Sequence, residues 1–112
     1  MTPRLKSRFW VEALLRRCLG EGKFGAVVQT GADEAGAVFV AINRLDKTYE
    51  LLEPPPGPSH DDEGQRQFSK AFAAPVFWSD VQVHFDRRRK SDPDLWLVEI
   101  ETRAGFADLK VV

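Results

Sequence analysis

Asp92-Pro93-Asp94-Leu95-Trp96-Leu97-Val98-Glu99-Ile100-Glu101 is the stretch on which the fold turns. Pro93 holds Asp92 out of the α region and has no N–H to donate, so a helix reaching this point must stop. Leu95 to Val98 is apolar on both faces, which suits a strand inside a sheet. From Val98 the pattern alternates, with Val98 and Ile100 on one face and Glu99 and Glu101 on the other.

Just upstream, Trp78 to Lys90 fits two patterns. Val81, Val83 and Phe85 alternate with Gln82, His84 and Asp86, as in a strand. Trp78, Val81 and Phe85 also share a helical face, with Ser79 or Asp80 able to cap it. Four cations, Arg87 to Lys90, would complement the helix dipole at its C-terminal end. With Asp92-Pro93 as the stop, the helix is the reading adopted. Downstream, Thr102 to Val112 either turns at Gly105 into a short edge strand or frays.

The first half supplies the rest of the core. Ser7 can cap a helix running to about Leu19, whose apolar stripe includes Phe9, Trp10, Val11, Leu14, Leu15 and Cys18. Glu12 precedes Arg16 by four residues, a favourable pair worth about 0.3 kcal/mol. Gly20 and Gly22 end the helix, one of them at positive φ. So apolar a helix must lie on a sheet.

Phe24 to Thr30, Ala37 to Asn43 and Thr48 to Glu53 read as three strands separated by turn residues. A three-stranded antiparallel meander is the simplest arrangement, with Ala37 and Ala41 marking a close approach of the first helix. Pro54-Pro55-Pro56-Gly57-Pro58 and the acidic residues to Gly64 read as an exposed connecting loop. Gln67 to Ala73 reads as an edge strand. The expected fold is therefore α+β, a mainly antiparallel sheet of about five strands with two packed helices.

Composition sets limits on function. The chain has 112 residues, enough for one domain spanning 1–112, and is 43% hydrophobic with three Trp and eight Phe. Sixteen basic residues against seventeen acidic ones leave a net charge of −1, a balance that argues against a dedicated nucleic-acid binder. Cys18 is the single cysteine, which excludes an intrachain disulfide or a cysteine-based zinc cluster. There is no apolar run of signal-peptide or membrane-helix length, and a cytoplasmic protein is expected.

Candidate chemistry is sparse. His60 is expected in solvent and His84 in a surface hydrogen bond beside Asp80 and Arg88. Cys18, on an apolar helix face, reads as a buried structural thiol. No nucleophile elbow, HExxH or phosphate-binding glycine loop is present, and no cofactor is indicated. Asp92, Asp94, Glu99 and Glu101 flank the central strand; paired carboxylates can bind a divalent ion or act as acid and base. The plainer reading is a solvent-facing strand beside a turn whose aspartates bond their own backbone. Arg16, Arg17 and the Arg87 to Lys90 run, Arg88 included, could form one basic patch.

Three functions follow. The leading one is a non-catalytic binding or interaction module with a protein or small-molecule partner. The second is a metal-assisted or acid/base hydrolase using Asp94, Glu99 and Glu101, with Arg16 or Arg17 clamping an anion. The third is nucleic-acid binding through Arg87 to Lys90. A homodimer through an open sheet edge is compatible with any of them.

Leu5-Lys6-Ser7 with Phe9-Trp10-Val11, the run Ala13-Leu14-Leu15-Arg16-Arg17, Ala35-Gly36-Ala37-Val38, and above all Asp92-Pro93-Asp94-Leu95-Trp96 with Val98-Glu99-Ile100-Glu101 resemble a family of short alphaproteobacterial proteins known only as a domain of unknown function. This chain departs from the family in having Ser91, and no aromatic residue, just before that block. It departs again between the Pro-rich loop and Phe77. The resemblance implies a bacterial, cytoplasmic, single-domain protein and a helix before Asp92. It carries over no functional residue, since the family has no assigned activity.

If Trp96 is core, Trp96→Ala should cost about 3–5 kcal/mol in urea denaturation. A loss under about 1 kcal/mol would instead put the ring on the surface.

Overall fold

A computed structural model describes residues 5–103 and 108–112. Its elements run α1 (Ser7–Gly20), β1 (Gly25–Gln29), β2 (Val38–Asn43), β3 (Tyr49–Glu53), β4 (Gln67–Lys70), α2 (Trp78–Ser91), β5 (Trp96–Glu101) and β6 (Lys110–Val111). The strands form one sheet in the order β1-β5-β2-β3-β4-β6. Pairings β1–β5, β2–β3 and β3–β4 are antiparallel, while β2–β5 and β4–β6 are parallel. The α+β class, the two helices and the mainly antiparallel sheet are as the sequence implies, with six strands in place of about five. Gly105 lies outside the described residues, but β6 is the expected edge strand.

β5 occupies the interior because its residues are apolar on both faces. Trp96, Val98 and Ile100 face α1 with Val38, Val40 and Ile42, packed on Val11, Leu14 and Cys18. Leu95 and Leu97 belong to the opposite layer with Phe39, Ala41 and Leu51, under Val81 and Phe85 of α2. The two helices thus cover opposite faces. Ala37 and Ala41 lie on the α2 side, so they do not mark the approach of α1.

The three-strand meander is the main correction. β2 and β3 form a hairpin, but β1 and β2 never pair, because β5 lies between them. Spanning an intervening strand means crossing two strand spacings, about 10 Å, which a tight hairpin turn cannot do. Residues 30–37 make that crossing. The Ala32 N–H donates to the Asp94 carbonyl at 3.0 Å, the Trp96 N–H to the Ala37 carbonyl at 2.8 Å, and Trp96 Nε1 to the Ala32 carbonyl at 2.8 Å. Trp96 is 1% exposed, and the Arg8 guanidinium lies 5.3 Å from its ring centroid.

The helix ends follow local chemistry. At the end of α1, Gly22 takes φ 74°. The Lys23 N–H reaches the Cys18 carbonyl at 2.8 Å and the Gly22 N–H that of Leu19 at 3.1 Å, a Schellman closure. α2 begins with the Asp80 carboxylate accepting from the Phe77 N–H at 3.1 Å. It ends before Pro93, as the breaker requires.

The crossing loop has no spare space. A Cβ on Gly31 would fall 2.2 Å from the Asp94 carbonyl oxygen and 2.6 Å from Trp96 Cδ1, and one on Gly36 would fall 2.3 Å from the same oxygen. Since backbone blocks both, Gly31→Ala and Gly36→Ala should each lose about 1–3 kcal/mol or more in urea denaturation. Gly57→Ala, where a Cβ meets nothing within 4 Å, should stay within about 0.5 kcal/mol of the parent.

Candidate functional site

The Pro-rich segment leads into a small hairpin that covers the start of α1. His60 and Arg66 face each other as an isolated antiparallel bridge. The turn between them is held by Asp61: its Oδ1 accepts from the Glu63 and Gln65 N–H groups at 2.9 Å each, and Oδ2 accepts from Lys110 Nζ at 2.9 Å. Gly64 takes φ 83° to complete the turn. Lys110 on β6 therefore ties the hairpin to the sheet. The Lys110 hydrogen bond, followed by the backbone donors, holds the Asp61 carboxyl below the usual carboxylate range.

Arg66 projects from this hairpin onto α1. One of its terminal nitrogens (Nη2) donates to Ser7 Oγ at 2.7 Å, and its guanidinium carbon lies 5.4 Å from the Trp10 ring centroid. Ser7 Oγ in turn donates to the Gly36 carbonyl at 2.6 Å. Ser7 is fully buried and makes no cap through its side chain, so the expected capping role is replaced by a tertiary one. Its hydroxyl links three segments: the hairpin, the first turn of α1 and the β1–β2 crossing.

These segments enclose a pocket of about 400 Å³. Val38 and Phe68 of the sheet form its apolar floor, with Leu5 and Pro54 at the sides. Lys6, His60 and Arg66 supply cationic or titratable lining and Glu34 the carboxylate. Lys6 Nζ stands 3.6 Å from Glu34 at the exposed mouth. A mostly apolar concavity with a few convergent polar groups is the usual form of a small-molecule site. His60 is therefore half-buried against a cavity and not a solvated loop residue.

The residues singled out from sequence are dispersed. Asp94 precedes β5 and sits in a turn where its own N–H donates to Asp92 Oδ1 at 3.1 Å. Glu101 ends β5, so Asp94 and Glu101 stand about 20 Å apart along the strand. Glu99 accepts from Asn43 Nδ2 at 3.0 Å. It shares a face with Tyr49, whose hydroxyl pKa is raised by burial first and by Glu99 and Glu101 next. Arg16 is exposed beside an apolar groove with Leu15, Leu19 and Phe24. Arg17 pairs with Asp108 at 3.6 Å. Arg88 donates to Glu53 at 3.3 Å and lies 5.9 Å over Phe39. Because α1 and α2 cover opposite faces, Arg16 and Arg17 do not join Arg87 to Lys90 in one patch.

His84 makes a side-chain hydrogen bond, as expected, meeting at 2.8 Å the same Glu53 oxygen that Arg88 reaches. With its ring edge-on to Phe72 at 5.2 Å, it fastens α2 to β3. Cys18 is buried and its thiol pKa is raised, chiefly by burial. Among the described residues no group of three or more His, Cys, Asp or Glu side chains is placed to hold a metal ion. Nor is any helix among them long and apolar enough to cross a membrane.

The molecule is thus an α+β domain with one mixed sheet between two helices and a ligand-sized pocket at one sheet margin. It belongs to the DUF1491 family, proteins of unknown function, whose model matches residues 5–110. The solution structure of protein Atu0922 from A. tumefaciens is 40% identical, covers 89% of this chain and 87% of its own, and superposes with a TM-score of 0.77. The crystal structure of a DUF1491 family protein from Caulobacter crescentus is 32% identical, covers 96% of this chain and 99% of its own, and also gives 0.77. Both relatives are alphaproteobacterial. No curated protein matches the chain.

The depressed Asp61 pKa has a definite sign in stability. A carboxyl held lower in the folded state stabilises above its unfolded value of about 3.9, and that contribution is lost as pH falls through the folded pKa. Limited proteolysis should therefore cut between His60 and Arg66 faster at pH 3 than at pH 6. Asp61→Asn should open the same segment at pH 6 and weaken the acid dependence.

Proposed function

We propose that this chain is a non-catalytic binding module whose ligand occupies the pocket beneath the 59–67 hairpin. One observation carries the reading: Arg66 is held in place at the pocket wall by Ser7 and Trp10, residues of a different element. Fixing a long, flexible side chain before any ligand arrives removes an entropic cost of binding. The pocket floor is equally prepared, since Val38 and Phe68 are core residues held by the sheet.

The hydrolytic alternative has no comparable support, because Asp94 lies at the other end of β5 from Glu101 and Glu99 is engaged with Asn43. Nucleic-acid binding through Arg87 to Lys90 also lacks a second feature, with Arg88 turned back onto Glu53 and Phe39. The pocket gathers more: an apolar floor, fixed polar groups and walls from separate segments.

A fragment screen followed by amide chemical shifts tests the proposal. Binders should perturb Val38, Phe68 and the Trp10 indole N–H together, and the complex should show no turnover. Binders that shift only residues elsewhere, or a measurable conversion of ligand, would overturn it.

A further inference from the structure

We infer that the pocket ligand is an amphipathic organic anion, a carboxylate or phosphate head on a compact apolar body, with the head against Arg66. The inference rests on the binding reading above and specifies its chemistry. Two features of the lining lead to it. Lys6 and Arg66 bring two positive charges to the lining against the single negative charge of Glu34, although the chain as a whole carries a net −1. Positive lining against that background is local to the pocket. Beyond the charged groups, the floor of Val38 and Phe68 is apolar, so a bare inorganic ion would leave it uncovered.

Arg66 determines the kind of head. A guanidinium is a planar fork that matches two oxygens of a carboxylate or phosphate, whereas an ammonium is a point charge. Here one terminal nitrogen is anchored to Ser7 Oγ at 2.7 Å and the guanidinium carbon lies over the Trp10 ring, 5.4 Å from its centroid. Both contacts fix where the guanidinium sits at the pocket wall. Ser7 itself cannot swing away, since its hydroxyl donates to the Gly36 carbonyl. Lys6 at the mouth, already near Glu34 at 3.6 Å, adds attraction at the entrance and not a second fork.

The test uses matched probes on the intact protein: 4-phenylbutyrate against its neutral amide 4-phenylbutyramide, with phenyl phosphate and inorganic phosphate alongside. The acid and phenyl phosphate should shift Phe68 and Trp10 resonances and bind roughly tenfold more tightly than the amide, the value of one charge-assisted hydrogen bond. Added salt should weaken the acid and leave the amide unchanged. Arg66→Lys, which keeps the charge and loses the fork, should lower acid affinity towards that of the amide. Should that variant fail to fold, the comparison of acid and amide on the parent protein still decides. Equal binding of acid and amide in the pocket would overturn the anion assignment and leave the binding reading standing. Tighter binding of inorganic phosphate than of phenyl phosphate would overturn the apolar body. If no probe shifts pocket resonances, the anion assignment fails; the fragment screen above then decides the broader reading separately.

Discussion

Everything in this fold depends on the insertion of β5 between β1 and β2. That strand is apolar on both faces and must be covered on both, so one helix goes to each side of the sheet. Its placement separates two strands that follow each other in sequence, and the crossing loop 30–37 must then pass around Asp94 and Trp96. Gly31 and Gly36 are required there because the Asp94 carbonyl approaches too closely for any side chain. Trp96 satisfies its indole N–H on the same loop, which lets a large ring be buried without an orphaned donor.

The same loop builds the pocket. Its residues Asp33 and Glu34 accept the N–H groups of Arg8 and Ser7 at 3.0 and 3.1 Å, satisfying two donors at the start of α1 that a side-chain cap would otherwise address. Gly36 accepts the Ser7 hydroxyl, and Ser7 accepts Arg66. A continuous path therefore runs from the buried tryptophan, through the crossing, to the cation at the pocket wall. Packing at the sheet centre and geometry at its margin are set by one segment.

Much of this architecture can be read in the residues. The inner-strand character of Leu95 to Val98, the Pro93 stop, the amphipathic α1 and the Gly22 closure are local signals, and each is realised. The helical reading of Trp78 to Lys90 is also met, since Val81 and Phe85 are buried and Trp78 packs beside them. The β1–β2 connection is not a local signal, because strand adjacency is a long-range property. The available clue was a connection longer than a tight turn. The site was harder to see: Arg66, His60 and Ser7 lie in separate segments, and no spacing rule joins them. The Asp61-Asp62-Glu63-Gly64 turn signal was present, but what it positions depends on Lys110, far along the chain. Glu99, Glu101 and Arg88 were visible as charges, and their partners Asn43, Tyr49 and Glu53 were not.

The β2–β5 ladder, in which Val38 stands beside Trp96 and Asn43 beside Glu101, sets the timing of the molecule's birth. While the chain emerges from the ribosome, β2 is complete long before its central partner exists. Its buried run Val38 to Ile42 must wait with an open hydrogen-bonding edge, in the company of β3 alone. Long-range pairing of this kind is slow, and an unpaired apolar strand is a template for association with other chains. The fold is therefore one that closes late, and the nascent chain carries its most adhesive strand exposed until Trp96 to Glu101 has been made.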